Sequence, residues 1–337
     1  MTLYLDSADV RRLCTQDLSL RAARSVLEAQ KAGNWKLPPR LDIDLPLGFF
    51  RVMPAAIGVF MGLKIMTLVH GVGNRYLLLL YAQDSGELVA VLDADEVTRL
   101  RTAATTAVAG QLLRPQGSSL IGLIGTGFEA EGHLRAFAEV WPVSDVLVNS
   151  RSATRRDDFA ERMTAELGIS VKPVATSEEV VAESPVTLLC TKSTTPVVDG
   201  ARFSRGAIVL SIGSTRPDLR ELDQTTLSRS AAVLVDDPQQ VVSESGDIAF
   251  GLSSGAISRD LIVAMCDWTG HEDRADADRD LLTFKSVGTA LHDLLLAAAL
   301  VDEAKARGHG RELGELTSLK AAAEAPLVKR AALKGAR

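Results

Sequence analysis

Residues 121–137 read IGLIGTGFEAEGHLRAF. An apolar run enters Gly125-Thr126-Gly127-Phe128-Glu129-Ala130 and leaves it as a helix, the order a dinucleotide-binding turn needs. Gly125 permits the tight turn and Gly127 leaves room for a pyrophosphate. Ala130, standing where a third glycine is usual, lets the helix pack on the strand. The same residues would also serve a purely structural β–α turn, and the complete strand–helix–strand context favours the nucleotide. The second strand ends in Asn149, Ser150, Arg151 and Ser152, with no acid to bind the ribose hydroxyls of NAD. Hydroxyls and a forked guanidinium suit a 2′-phosphate. NADPH is the expected cofactor and NADH the lesser expectation; an ordinary solvated basic loop is the alternative.

Ahead of this turn stand four basic residues: Arg40 in PPRLD, Arg51 in FFRVMPA, Lys64 in GLKIM and Arg101 in RLRTAA. Each alone is an ordinary surface charge, whereas together they make a carboxylate pocket. Lys64 interrupts an apolar strand, so it is either on an exposed face or buried for a reason. His70, His133, His271, His292 and His309 are scattered, and His70 is either near the pocket or a polar strand end. Asp293 in ALHDL either orients a pocket base or caps a helix turn. Glu244 and Asp247 in SESGDI are site acids or solvated ones. Lys285 and Ser286 precede Gly288 at a strand-to-helix junction, with their backbone expected near the nicotinamide.

The elements that position these residues change character along the chain. SADVRRL and LSLRAARSVLEAQKAG are helical, with Ser7 or Asp9 as the expected cap of the first. Pro38, Pro39 and Pro46 break helicity. Residues 62–72 and 75–97 read as strands with a hairpin turn at Asp84-Ser85-Gly86, followed by an alanine-rich helix over 94–113. RPQGSS marks a break. Beyond it, apolar strands alternate with helices, the pattern of a doubly wound α/β domain with a parallel sheet. The fold class is therefore α/β: a doubly wound Rossmann domain preceded by an α+β domain. The expected boundaries are 1–116 and 117–304. The last segment, after an extended start, becomes a long helix.

The chain has 337 residues, ample for two domains, and a net charge of −6, which argues against nucleic acid. Cys14, Cys190 and Cys266 are too few and too far apart for a zinc site or a disulfide framework, so no metal is expected. No signal peptide or membrane span is visible, and a cytoplasmic location is expected.

The stretches RVMPA, GLKIMT, TRLRTAATTAVA, the glycine turn, VVDG, SIGSTRPDLRELD, ESGDI and FKSVGTALHDL, in that order, resemble the ornithine cyclodeaminase and mu-crystallin family. The resemblance implies a homodimer whose amino-terminal α+β domain is the substrate-binding and dimerisation domain, with a carboxy-terminal helix, about 305–337, packing back on that domain. It also implies a pocket for a small amino, imino or oxo acid beside the nicotinamide. Arg40, Arg51, Lys64 and Arg101 match the family's substrate-site basic residues, with Arg101 on the α-carboxylate and Lys64 near the reacting atoms. Thr191, Ser193 and Ser214 would lie on the nicotinamide side. Cyclodeaminases carry an Asp where this chain has Thr215, and an acid where it has Arg51. The resemblance thus points to the reductase or dehydrogenase branch: hydride transfer to a C=N bond made from a 2-oxo acid and an amine or ammonia. Ammonia-releasing cyclisation with bound NAD and non-catalytic binding of NADPH with a small ligand are the alternatives.

Overall fold

The computed structural model describes residues 1–114, 116–270 and 278–316. Pro115, His271 and the alanine-rich tail 321–337 lie outside the described residues, as does most of the segment 305–337 expected to be helical.

The first part of the chain runs β1 (Leu3–Leu5), α1 (Ser7–Leu13), α2 (Gln16–Lys31), β2 (Trp35–Lys36), β3 (Leu41–Leu45), β4 (Gly48–Ile57), β5 (Phe60–Val69), β6 (Gly73–Ala82), β7 (Leu88–Asp93) and α3 (Asp95–Leu113). Its sheet has the order β16-β1-β7-β6-β5-β4-β2, closed at one end by β16 (Arg311–Glu312), with β3 also paired to β4. Asp6, not Ser7 or Asp9, caps α1, since its carboxylate accepts from the backbone N–H groups of Ala8 and Asp9. The stretch after Pro38 and Pro39, expected only to break helicity, returns as edge strand β3.

The second part runs β8 (Leu120–Ile124), α4 (Phe128–Val140), β9 (Asp145–Asn149), α5 (Ala153–Leu167), β10 (Ser170–Pro173), α6 (Ser177–Glu183), β11 (Val186–Leu189), β12 (Ile208–Ser211), α7 (Gln224–Arg229), β13 (Ser230–Val235), α8 (Pro238–Glu244), α9 (Gly246–Ser253), β14 (Ile262–Ala264) and β15 (Leu281–Lys285). These strands form a parallel sheet in the order β10-β9-β8-β11-β12-β15-β13-β14. The order reverses beside β8, so a crevice opens at the carboxyl ends of β8 and β11, where such folds bind ligands.

Helix α10 (Ala290–Arg307) crosses back to the first sheet. Its Leu291, Leu294, Ala297, Leu300 and Val301 share one core with Leu5, Ile57, Leu78, Leu80 and Leu92. The first core therefore reclaims the chain from residue 290, not from 305. The physical reason is that a helix apolar on nearly every side needs partners on several sides. Helix α3 bridges the cores: Val97 and Leu100 join the first, and Ala103, Ala104 and Ala107 join Leu134 and Phe137 of α4 in the second. Its small residues let α4 approach. A Cβ at Gly110 would sit 2.8 Å from the Phe137 ring.

Antiparallel register sorts the side chains of β3–β6. Arg51 pairs across with Asp42 and Met66, and Met66 with Tyr76; Met53 pairs with Lys64, and Lys64 with Leu78. These residues share the inner face, under α10. Alternation then sends Leu41, Ile43, Phe50, Val52, Leu63, Ile65 and Leu77 to the outer face. Leu41 and Ile43 are 58% and 48% exposed there, so that end of the face is apolar and open to solvent among the described residues.

Candidate active site

Lys64 reaches the inner face because the strand alternates. Its ammonium donates to Asp293 Oδ1 at 2.9 Å and lies 2.8 Å from Oδ2. Asp293 comes from the first turn of α10. Arg101, from α3, donates its Nε to the same Oδ1 at 2.9 Å. One carboxylate thus serves two cations, and the group carries a net positive charge. All three are buried, Asp293 completely. Such a cluster draws an anion into the cavity it faces. Burial and then Arg101 pull the Lys64 ammonium down to about 7, although Asp293 works to raise it. Burial alone would raise the Asp293 carboxyl, but Arg101 and Lys64 outweigh it and hold it below its usual range.

Arg40 arrives from the loop before β3. It ion-pairs with Glu244 at the end of α8, and its Nη2 donates to the carbonyls of Val287 and Gly288 at 3.1 Å each. Its Nε is buried with no partner among the described residues. Burial pushes the Glu244 carboxyl up to about 7 against the pull of Arg40. Arg51 is held by Asp42, with Nε and Nη2 donating at 2.7 and 2.6 Å. Gly288 has φ +76°, and a Cβ there would stand 2.5 Å from Arg101 Nη1. Only glycine lets the β15–α10 junction lie against the guanidinium.

Arg40, Arg51, Lys64 and Arg101 line one cavity of about 130 Å³, together with Met53, Met66, Tyr76, Glu129, Thr191, Thr215 and Ser286. That is room for a small acid. Cys190, Thr191 and Lys192 line both this cavity and a second cleft of about 890 Å³ over the glycine turn. The larger cleft is lined by Gly125, Thr126, Gly127, Asn149, Ser150, Arg151, Ser152, Arg155 and Ser193. Gly125 has φ +112°, and a Cβ there would meet the Cys190 carbonyl oxygen at 2.5 Å; a Cβ at Gly127 would meet nothing within 4 Å, leaving its backbone open to a phosphate. The donor set at Ser150, Arg151 and Ser152 and the open turn fit a dinucleotide. Asn149 is partly spent, its Nδ2 donating to the Val174 carbonyl at 3.1 Å, and Ser152 caps α5. Arg151 is exposed.

A buried polar network stiffens the junction from behind. The Glu221 carboxylate accepts from Thr191 N–H at 2.6 Å, Thr191 Oγ1 at 2.8 Å, Ser211 Oγ at 2.7 Å and Gly213 N–H at 2.8 Å. Burial raises its carboxyl pKa even so. Asp247 ties down the N–H groups of Glu221 and Leu222, and Lys285 lies 3.4 Å from Asp247. The loops after β11 and β12 are thereby locked together where they face the cavity.

Not every candidate faces a ligand space. Ser214 is fully buried and donates to the Leu219 carbonyl at 2.6 Å. Phe128 is 52% exposed, its ring under Arg99, and Ala130 is buried in the helix–strand packing. Ser286 lines the cavity while donating to Asp236 at 2.7 Å. Lys285 points into the network instead of the cavity, and His70 is exposed at the end of β5. Residues that the sequence reading passed over are Asp42, Tyr76 and Lys192, while Arg155, which reads from the sequence as part of a solvated face, lines the larger cleft. Asp42 carried one signal, its alternation with Ile43 in a strand.

The family described as Ornithine cyclodeaminase/mu-crystallin matches residues 2–308. A mouse (Mus musculus) protein named ketimine reductase mu-crystallin is 31% identical over 263 residues, covering 76% of this chain and 80% of its own length. The structure of Thermococcus litoralis Δ1-pyrroline-2-carboxylate reductase in complex with NADH and L-proline superposes with a TM-score of 0.85 at 27% identity, covering 93% of this chain and all of that one. An archaeal alanine dehydrogenase dimer with bound NAD superposes with a TM-score of 0.84 at 26% identity, over 92% of this chain and 98% of that one.

Proposed function

The chain belongs to the ornithine cyclodeaminase/mu-crystallin family, and on that footing we propose that it is an NAD(P)H-dependent reductase of a C=N bond in a small imino or ketimine acid. The observation that carries the reading is the buried Lys64–Asp293–Arg101 cluster, set in a cavity that opens onto the nucleotide cleft. The net positive charge of the cluster holds the α-carboxylate, with Arg40 Nε as a further free donor. Fixing the carboxylate fixes which face of the planar imine looks toward the cleft. Lys64, poised near neutrality, gives a proton to the imine nitrogen. The reduced nicotinamide, when bound, supplies the hydride to the imine carbon.

Thr215 lines the cavity where cyclisation would need a carboxylate, and Arg51 adds a cation instead of an acid. Both favour reduction over ammonia release. Ser150, Arg151 and Ser152, with Arg155 beside them, favour NADPH over NADH. The apolar outer face of β3–β6 supports a homodimer built on that face, as a second copy would cover it symmetrically.

The test is a panel of 2-oxo acids crossed with amines and ammonia, followed by nicotinamide absorbance. Consumption of NADPH that requires both the oxo acid and the amine is expected. Ammonia release from ornithine with no net cofactor change would assign the chain to cyclisation. Binding of cofactor with neither reaction would make it a binding protein.

A further inference from the structure

The small cavity is electrically lopsided. Four of its cations come from the first domain, and three of its neighbouring carboxylates are spoken for: Asp42 by Arg51, Glu244 by Arg40, and Asp293 by Lys64 and Arg101. Glu129 stands apart. It is the second residue of α4 and lines the same cavity from the opposite domain. Its Oε2 is buried and, among the described residues, accepts no hydrogen bond. Among the described residues, Glu129 makes no ion pair within 4 Å. Lys192, the neighbouring cation, sits 3.5 Å from the Gly213 carbonyl instead. A buried carboxylate oxygen without a donor is costly, so whatever fills the cavity should bring one.

We infer that Glu129 is a specificity-determining residue that accepts a hydrogen bond from the nitrogen of the substrate, the N–H of an iminium or of the product ammonium. The inference rests on the reductase reading and assigns the other end of its ligand. A carboxylate held by Arg101 and Arg40, with the nitrogen turned toward Glu129 and still within reach of the Lys64 proton in the same small cavity, matches the dipole of an α-imino or α-amino acid. The chemical gain is that an imine accepts hydride readily only when protonated. A carboxylate beside the nitrogen favours that protonated form. It also discriminates against 2-oxo and 2-hydroxy acids of the same shape, which place an oxygen lone pair where Glu129 needs a donor.

The test compares two ligands of one shape on the enzyme saturated with oxidised cofactor: L-proline, whose ring nitrogen is a charged donor, and tetrahydrofuran-2-carboxylate, whose ring oxygen is not. Glu129→Gln should weaken L-proline roughly tenfold to a hundredfold, the worth of one hydrogen bond to a charged group. It should leave tetrahydrofuran-2-carboxylate unchanged or bind it more tightly, and cofactor affinity should hold. Equal weakening of both ligands would overturn the inference, and so would loss of cofactor affinity by the same factor, since Glu129 would then serve the nucleotide. If NADPH binds but no oxo acid and amine of the panel consumes it, the reductase reading itself falls; if the panel identifies a different product amino acid, that acid and its oxygen isostere replace L-proline and tetrahydrofuran-2-carboxylate in the same comparison. Glu129→Ala carries the same comparison should the glutamine variant not fold.

Discussion

At the residue scale, Lys64 concentrates the chemistry. On the proposed mechanism reduction needs its proton, so the rate of imine reduction should fall as pH rises through about 7, and amine oxidation should rise over the same range. Lys64→Ala should cut turnover by roughly 10²–10⁴-fold, while cofactor binding, read by fluorescence titration, survives. Near-normal turnover in that variant would remove Lys64 from the mechanism. The same group ties stability to pH. Its pKa falls from an ordinary 10.5 to about 7 on folding, so between those values the unfolded chain binds more protons. Its contribution therefore improves as pH rises from about 7 toward 10.5. Lys64→Met should flatten that part of the stability profile in denaturant titrations; an unchanged slope would show that burial does not burden the ammonium.

At the element scale, the loops after β8, β9, β11 and β12 decide how cofactor and substrate meet. Gly213 is the tightest point: a Cβ there would stand 1.6 Å from the Thr191 carbonyl oxygen and 2.5 Å from Glu221 Oε1. Gly213→Ala should force the two loops apart, costing about 1–3 kcal/mol of stability, as overpacking does, and lowering affinity for NADPH and NADH alike. A variant with wild-type melting and binding would mean the loops yield freely. At the end of β9 the effect should be selective. Arg151→Ala should weaken NADPH roughly tenfold to a hundredfold and leave NADH nearly unchanged; equal losses would show that Arg151 does not read the 2′-phosphate.

At the scale of the whole molecule, one sheet serves two purposes through a two-residue period. The inner face of β4–β6 carries the site, and the outer face carries Val52, Leu63 and Ile65, with Leu41 and Ile43 from β3. Covering the outer face with a second copy would stiffen the strands that hold Arg51 and Lys64. Sedimentation at micromolar concentration should show a dimer. Ile43→Lys should shift its dissociation constant by about 1.5–3 kcal/mol, the worth of one buried aliphatic side chain, without touching the inner face. A fully active monomer would rule this out.

The sequence by itself determined what local order and residue type can determine. Apolar runs alternating with helical periods dictate a doubly wound domain, and Gly125 and Gly127 after the β8 run dictate where a phosphate can approach a backbone. An apolar strand with a lysine in it announces Lys64. What only the tertiary structure decided is which charges meet. Asp293 lies 229 residues from Lys64 in the chain and 192 from Arg101, and no periodicity connects them. Its pairing with Lys64 and Arg101 follows from α10 packing under the first sheet. The partners of Arg40 and Arg51, the inward turn of Lys285 and the isolation of Glu129 were settled in the same way. Periodicity reports which face of an element is buried, and that signal is carried within each element. Ion pairing depends on register and on contacts between elements far apart in the chain, which exist only once the two cores have formed around α3 and α10.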